Sequence, residues 1–203
     1  MEMAISHGMH ESLRSSTKAL HQQLDSLEAL LPLKGKGLNR DTYKTALIHM
    51  YSPHAFLEQK VARSIQKLDL DYDYQQRANL FRENLIALGA DITVFSSEDR
   101  LAAHVDQVCS IPEIIGYLYL LEGSKLGSDY IARRLAKSAL WEAEFSAFSC
   151  CADQRSEWDK YWLFVNNYIE RCGTEGQIIE AAENAFRFYI CSIENEELAL
   201  TQL

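Results

Sequence analysis

Apolar residues recur at three- and four-residue intervals along most of this chain, the period of helices with one buried face. Convincing strand alternation is absent, and Thr93-Val94-Phe95 is too short to count. The pattern predicts a first helix from about His10 to Leu30, with Leu13, Thr17, Leu20, Leu24 and Leu31 near one face. Lys34-Gly35-Lys36-Gly37 reads as a loop. A second helix starts after Asn39 or Asp41 and runs to about Met50, where Ser52-Pro53 either kinks it or opens a new helix through Leu68. Another is expected from Tyr74 to Leu88, with Gly89 as its C′ residue, and a short one after Ser97. Ser110-Ile111-Pro112-Glu113 is a start signal for a long helix to about Leu140. Asp153 or Ser156 opens the next, ending near Gly173. Thr174-Glu175-Gly176-Gln177 has capping-box spacing and leads into a last helix through about Leu198. No linker, repeat or low-complexity tract divides these elements. The expectation is an all-α multi-helix bundle, with residues 1–203 as one domain.

The most apolar helical stretch carries an anomaly. Gly123 and Gly127 stand four apart in Leu121-Glu122-Gly123-Ser124-Lys125-Leu126-Gly127-Ser128. Each glycine in a helix interior costs roughly 1 kcal/mol against alanine. The pair removes two side chains from one face. Either a neighbouring helix packs closely there, or the backbone lies across a flat cofactor, with Ser124 and Ser128 offering hydroxyls near the same surface. Tyr117 and Tyr119, one turn earlier, could place hydroxyls in such a pocket. Glu122 is a carboxylate in an apolar helix, so it is either solvated on the outer face or paired. Arg133, Arg134 and Lys137 suit the dipole at the helix end, or could hold carboxylates or an acidic partner.

Of six histidines, His21 has a describable setting. With Arg14 and Thr17 it forms a stripe on the flank of the first helix. Asp25 follows at i+4. A carboxylate there can accept from one ring nitrogen and aim the other outward as a neutral metal ligand. A helix-flank histidine simply paired with Asp25 is the other reading. The aromatic residues Trp158, Tyr161, Trp162, Phe164, Phe186, Phe188 and Tyr189 suit a helical core.

Charge and cysteine content narrow the picture. A net charge of −9 argues against a broad nucleic-acid-binding face. The five cysteines contain no Cys-x-x-Cys pair, so reduced thiols in a cytoplasmic protein fit best. The N-terminus lacks a signal-peptide build, and the longest apolar run, Ile114 to Leu121, is too short to span a membrane.

Two segments, taken together, resemble the haem oxygenase family in its soluble bacterial form. Leu13-Arg14-Ser15-Ser16-Thr17-Lys18-Ala19-Leu20-His21-Gln22-Gln23-Leu24-Asp25 is similar to the family's proximal helix. Leu121-Glu122-Gly123-Ser124-Lys125-Leu126-Gly127 is similar to its distal helix. The two lie about 100 residues apart. Weaker similarity occurs at Tyr51 to Glu58, at Arg77 with Leu80, at Trp158, and at Ile178 to Phe186. The resemblance implies a haem slot between the first helix and a glycine-kinked distal helix. It implies His21 as the axial ligand of the haem iron, Asp25 as its support, and Arg14 at a propionate. Gly123, Ser124 and Gly127 become catalytic residues. Tyr119, Ser128, Arg134 and Phe186 join the haem-binding set.

The implied chemistry is O₂- and reductant-dependent cleavage of haem at a meso carbon to biliverdin, CO and iron, haem being substrate and cofactor. The implied partner is an external electron donor, a ferredoxin or reductase. This chain departs from the family pattern at three places. Ser124 stands where mammalian members carry Asp, and Ser128 where Gly or Ala is common. Basic residues toward the propionates are missing near Asp159 and Leu163, where Arg134 could substitute. No strong acid or cation is evident at the distal face. The departures leave a second reading open, a haem-binding carrier or sensor without turnover. A di-iron enzyme is disfavoured, because no Glu-x-x-His occurs.

Overall fold

The computed structural model describes residues 2–35, 37–92, 107–137, 148, 154–169 and 175–194. Seven helices and no strand occur among them: α1 (Glu2–Ser26), α2 (Leu31–Lys34), α3 (Arg40–Lys67), α4 (Ala78–Ala87), α5 (Ile111–Ala136), α6 (Gln154–Ile169) and α7 (Glu175–Glu194). The expected helix after Ser97 and the capping box at Thr174 lie outside the described residues. No helix of the described residues is long and apolar enough to cross a membrane.

Helix α5 is the centre of the bundle. It packs most extensively on α7 and also meets α3 and α6, while α1 lies along α7. Its start follows the sequence reading: Ser110 N donates to Glu113 Oε2 at 2.7 Å, and Glu113 N returns to Ser110 Oγ at 3.5 Å. The helix is continuous through Gly123 and Gly127, so the expected glycine kink is not a break in it. The close helix approach belongs to a different glycine. A Cβ on Gly116 would fall 2.6 Å from both Ala181 Cβ and Ala182 N on α7. Only a bare backbone against alanines allows α5 and α7 this separation.

Other boundaries moved for identifiable reasons. Pro53 lies inside α3, which runs unbroken through it. A mid-helix proline costs about 3 kcal/mol, offset here by burial of Phe56, Leu57 and Val61 in the core on the following turns. Helix α4 begins at Ala78 rather than Tyr74, because the Glu58 carboxylate of α3 accepts from Arg77 N at 2.8 Å and Ala78 N at 2.8 Å. Gly89 has φ +67, the left-handed conformation expected of a C′ glycine. Lys44 Nζ donates to its carbonyl at 2.9 Å. Helix α1 stops at Ser26, and Leu31 turns out into α2, where it is 48% exposed.

Candidate functional site

On α1, Leu13 and Thr17 are buried while Arg14 and His21 are exposed. Thr17 Oγ1 donates back to Leu13 O at 2.7 Å. The Tyr119 hydroxyl of α5 lies beside Thr17, and burial raises its pKa. Four residues on, the His21 ring lies 4.5 Å from the Phe186 ring of α7, tilted by 54°. Phe186 is fully buried. The crowding around the ring lowers the His21 pKa; the Asp25 charge opposes this and the Lys34 charge adds to it. His21 is therefore a neutral imidazole at pH 7, with an edge open to solvent.

Asp25 departs from expectation. Its carboxylate pairs with the Lys34 ammonium of α2, and no hydrogen bond joins it to His21 among the described residues. A full positive charge outcompetes a neutral ring for a carboxylate. Asp25 acts on His21 only through its field.

On α5, neither Gly123 nor Gly127 seats a neighbouring helix. A Cβ on Gly123 would meet Trp158 at 3.8 Å, an ordinary contact, and one on Gly127 would meet nothing within 4 Å. Gly127 is exposed. The packing explanation fails for Gly127, which is left open, while Gly123 stands within ordinary contact range of Trp158 on α6.

The serines beside them turn elsewhere. Arg77 Nη2 donates to Ser124 Oγ at 2.6 Å and Arg77 Nη1 to Ser128 Oγ at 2.7 Å. Ser124 Oγ in turn donates to Leu121 O at 2.7 Å, and Ser128 Oγ to Ser124 O at 3.1 Å. Ser128 is 2% exposed. Both hydroxyls are thus committed to Arg77 and to the helix backbone rather than offered to an open pocket. Helix α5 also has a cation against it, where the sequence reading found none: Arg77 is 3% exposed, and its Nε makes no hydrogen bond among the described residues.

Arg77 belongs to a buried polar network that the sequence did not reveal. Glu58 accepts from the Tyr74 hydroxyl at 2.7 Å and from Arg77 N, and His54 Nε2 lies 3.1 Å from it. Burial would raise the Glu58 pKa, but the His54 interaction and these donors hold it well below the usual carboxylate range. Burial also pushes His54 down. Glu122 is the paired alternative of its two readings: it meets Lys125 Nζ at 2.8 Å and accepts from the Tyr72 hydroxyl at 2.9 Å. Burial raises its pKa against both partners. No signal pointed from Ser124 and Ser128 to Arg77, because helix serines can bond their own backbone carbonyls, as these two also do.

Arg134 does not reach freely toward a ligand. It donates to the Gly35 carbonyl, and its guanidinium stands 5.8 Å from the Tyr130 ring.

The all-α bundle thus carries an exposed, neutral histidine on α1 and an open glycine position, Gly127, on α5. A comparison with curated proteins gives no match. The model of the heme oxygenase family matches residues 7–195, a span that takes in most of α1 and all of α5. Nearly the whole chain is covered, and it belongs to the haem oxygenase family.

Proposed function

We propose that this protein is an enzyme that cleaves haem at a meso carbon to biliverdin, CO and iron, using O₂ and electrons from an external donor such as a ferredoxin or reductase. The observation that carries the reading is the open position at Gly127, where an added Cβ would meet nothing within 4 Å. An exposed helix position that gives up its side chain without packing against anything leaves room for a planar ligand. His21 fits the same ligand from α1, because an imidazole already neutral at pH 7 gives up no proton on coordinating iron.

In this reading His21 would hold the haem iron and Phe186 would fix its ring. Arg14, exposed two turns earlier, would take a propionate, and Gly123 and Gly127 would leave room for the porphyrin. Bound haem supplies the redox and oxygen chemistry itself. The chain sets geometry and proton supply. Ser124 donates to Leu121 O, so a proton from its hydroxyl toward the slot requires that bond to open. Arg77 keeps the hydroxyl in place and restrains α5 from turning. Residues 1–203 act as one cytoplasmic domain.

The commitment of Ser124 and Ser128 to Arg77 favours one second reading, a haem carrier or sensor on the same site without turnover. One experiment separates the two. Hemin is added and a Soret band sought; ascorbate or a ferredoxin system is then supplied in air. A biliverdin spectrum supports the enzyme. A Soret band without biliverdin supports the carrier. No Soret band sinks both.

A further inference from the structure

We propose that Arg77 is a positioning residue: it splints α5 across Gly127 and so sets how long haem stays bound beside that open position. The proposal rests on the haem reading above and deepens it. The stretch that needs a splint is visible in its composition. Four of the six residues from Gly123 to Ser128 are glycine or serine. Glycine adds backbone freedom, and a helix serine that bonds its own carbonyls favours bending. Both serines do so here, to Leu121 O and Ser124 O. Nothing lies within 4 Å of where a Gly127 Cβ would stand, so packing does not stiffen the turn there.

Stiffness comes from the flank turned away from the glycines. Two terminal nitrogens of one guanidinium reach Ser124 Oγ at 2.6 Å and Ser128 Oγ at 2.7 Å, one helical turn apart and on either side of Gly127 in sequence. A guanidinium is planar, and its donors cannot move apart. Two short bonds to it fix the spacing of the serines, and with it the pitch of the turn. Arg77 is itself held: it is buried, its backbone N and that of Ala78 donate to the Glu58 carboxylate of α3, and its guanidinium stands 5.7 Å from the Phe81 ring. The same segment holds the neighbouring residues of α5. Tyr72 donates to Glu122, and the Lys125 ammonium lies 4.6 Å over the Tyr74 ring. Helix α5 is thus gripped at Glu122, Ser124, Lys125 and Ser128 and left open at the exposed Gly127.

Stability alone does not call for this arrangement. Both serine hydroxyls already donate to backbone carbonyls. An arginine buried with its fork on two hydroxyls gives up the stronger bidentate pairing with a carboxylate. What the fork adds is a fixed turn beside an open position, where a ligand that leaves must otherwise only wait for the helix to loosen.

The test follows amide hydrogen exchange in the haem-free full-length protein, and hemin release from the loaded protein to excess apomyoglobin. Ser128→Ala removes one arm of the fork, and Arg77→Met removes both. Exchange in peptides spanning 121–131 should rise by about tenfold in Ser128→Ala, as loss of one hydrogen bond to a charged group implies, while peptides of α3 and α7 keep their rates. It should rise further in Arg77→Met. Hemin release should speed in the same order. Arg77→Lys, which keeps the charge and one bond, should fall between the unaltered protein and Arg77→Met. Ser128→Ala added to Arg77→Met should change neither reading, because that arm is already gone. Tyr43→Phe, which breaks the Tyr43–Asn84 bond between α3 and α4, is the control: it weakens the fold elsewhere and should leave hemin release unaltered. Ser128→Ala carries the test where Arg77→Met does not fold. Exchange at 121–131 unchanged in Ser128→Ala, or raised equally in every helix, overturns the splint. Local exchange raised with hemin release unchanged overturns the positioning role and leaves the haem reading standing. No Soret band on adding hemin to the unaltered protein overturns the haem reading and the positioning role with it.

Discussion

The ring of His21 on α1 rests 4.5 Å from the ring of Phe186 on α7, so a residue at the far end of the chain sets where the imidazole points. Phe186→Ala should destabilise the fold by about 3–5 kcal/mol, the range for emptying a buried aromatic site, since Phe186 is 1% exposed. The milder Phe186→Leu keeps the fold and frees the ring. Its signature is a His21 pKa that returns toward 6.5 in an imidazole NMR titration.

The same shift fixes a pH dependence. The folded-state pKa of His21 lies below the ordinary imidazole value of about 6.5. Between the two values the unfolded chain binds the proton and the folded one does not, so this group favours folding less as pH falls. Hemin affinity should be flat from pH 8 down to about 6.5 and decline only below it. A decline that begins above pH 7 would contradict a neutral His21 ligand. His21→Ala should lose the native Soret position and recover it with added imidazole.

Asp25 and Lys34 offer a test by opposite signs. Asp25 raises the His21 pKa and Lys34 lowers it. Asp25→Asn should therefore move the imidazole titration down, and Lys34→Gln should move it up. Both should change stability by no more than about 1 kcal/mol, as exposed ion pairs do. A large stability loss in Asp25→Asn would show that the carboxylate holds His21 directly.

Two glycines on α5 should answer differently to an added side chain. Gly127→Ala meets open space and should stabilise the helix by up to about 1 kcal/mol. Gly127→Leu should fold equally well but lower hemin affinity. Gly116→Ala drives a Cβ to 2.6 Å from Ala182 N and should cost about 1–3 kcal/mol or more. Thermal melts of the three variants, with a hemin titration for the second, check this ordering. Wild-type hemin affinity in Gly127→Leu would remove the porphyrin from α5.

Glu58 should dominate acid unfolding. Its folded pKa is depressed, so its contribution is fully present above the unfolded carboxylate value of about 4.3 and is lost as pH falls through the folded pKa. Glu58→Gln should flatten the stability curve across that acid window. It should also cost about 3–5 kcal/mol at pH 7, as breaking a buried pair does. Denaturant melts from pH 7 down to pH 3 measure both effects.

What the sequence disclosed was local. The Ser110–Glu113 box and Gly89 could be read because their partners lie within four residues. The His21 and glycine segments were visible because each is a short pattern on one helix. What escaped depended on partners far along the chain. The demand for glycine at position 116 could not be read locally, since the alanines that impose it on Gly116 are on α7. Asp25 looked like a partner for His21, because i+4 geometry is readable and the turn that brings up Lys34 is not. Arg77 gave no sign that it grips Ser124 and Ser128, 47 and 51 residues away.

The stretch between α3 and α4 has no helix, yet its length is fixed from both sides. Tyr72 is tied to Glu122, Tyr74 to Glu58, and Asp71 N to the Tyr168 hydroxyl. Arg77 closes it with its backbone on α3 and its side chain on α5. Alternate residues bind inward, so removal of one residue would reverse which side chains face the core. Connecting segments usually tolerate insertions and deletions. This one should tolerate neither, and homologues that vary in loop length should vary elsewhere.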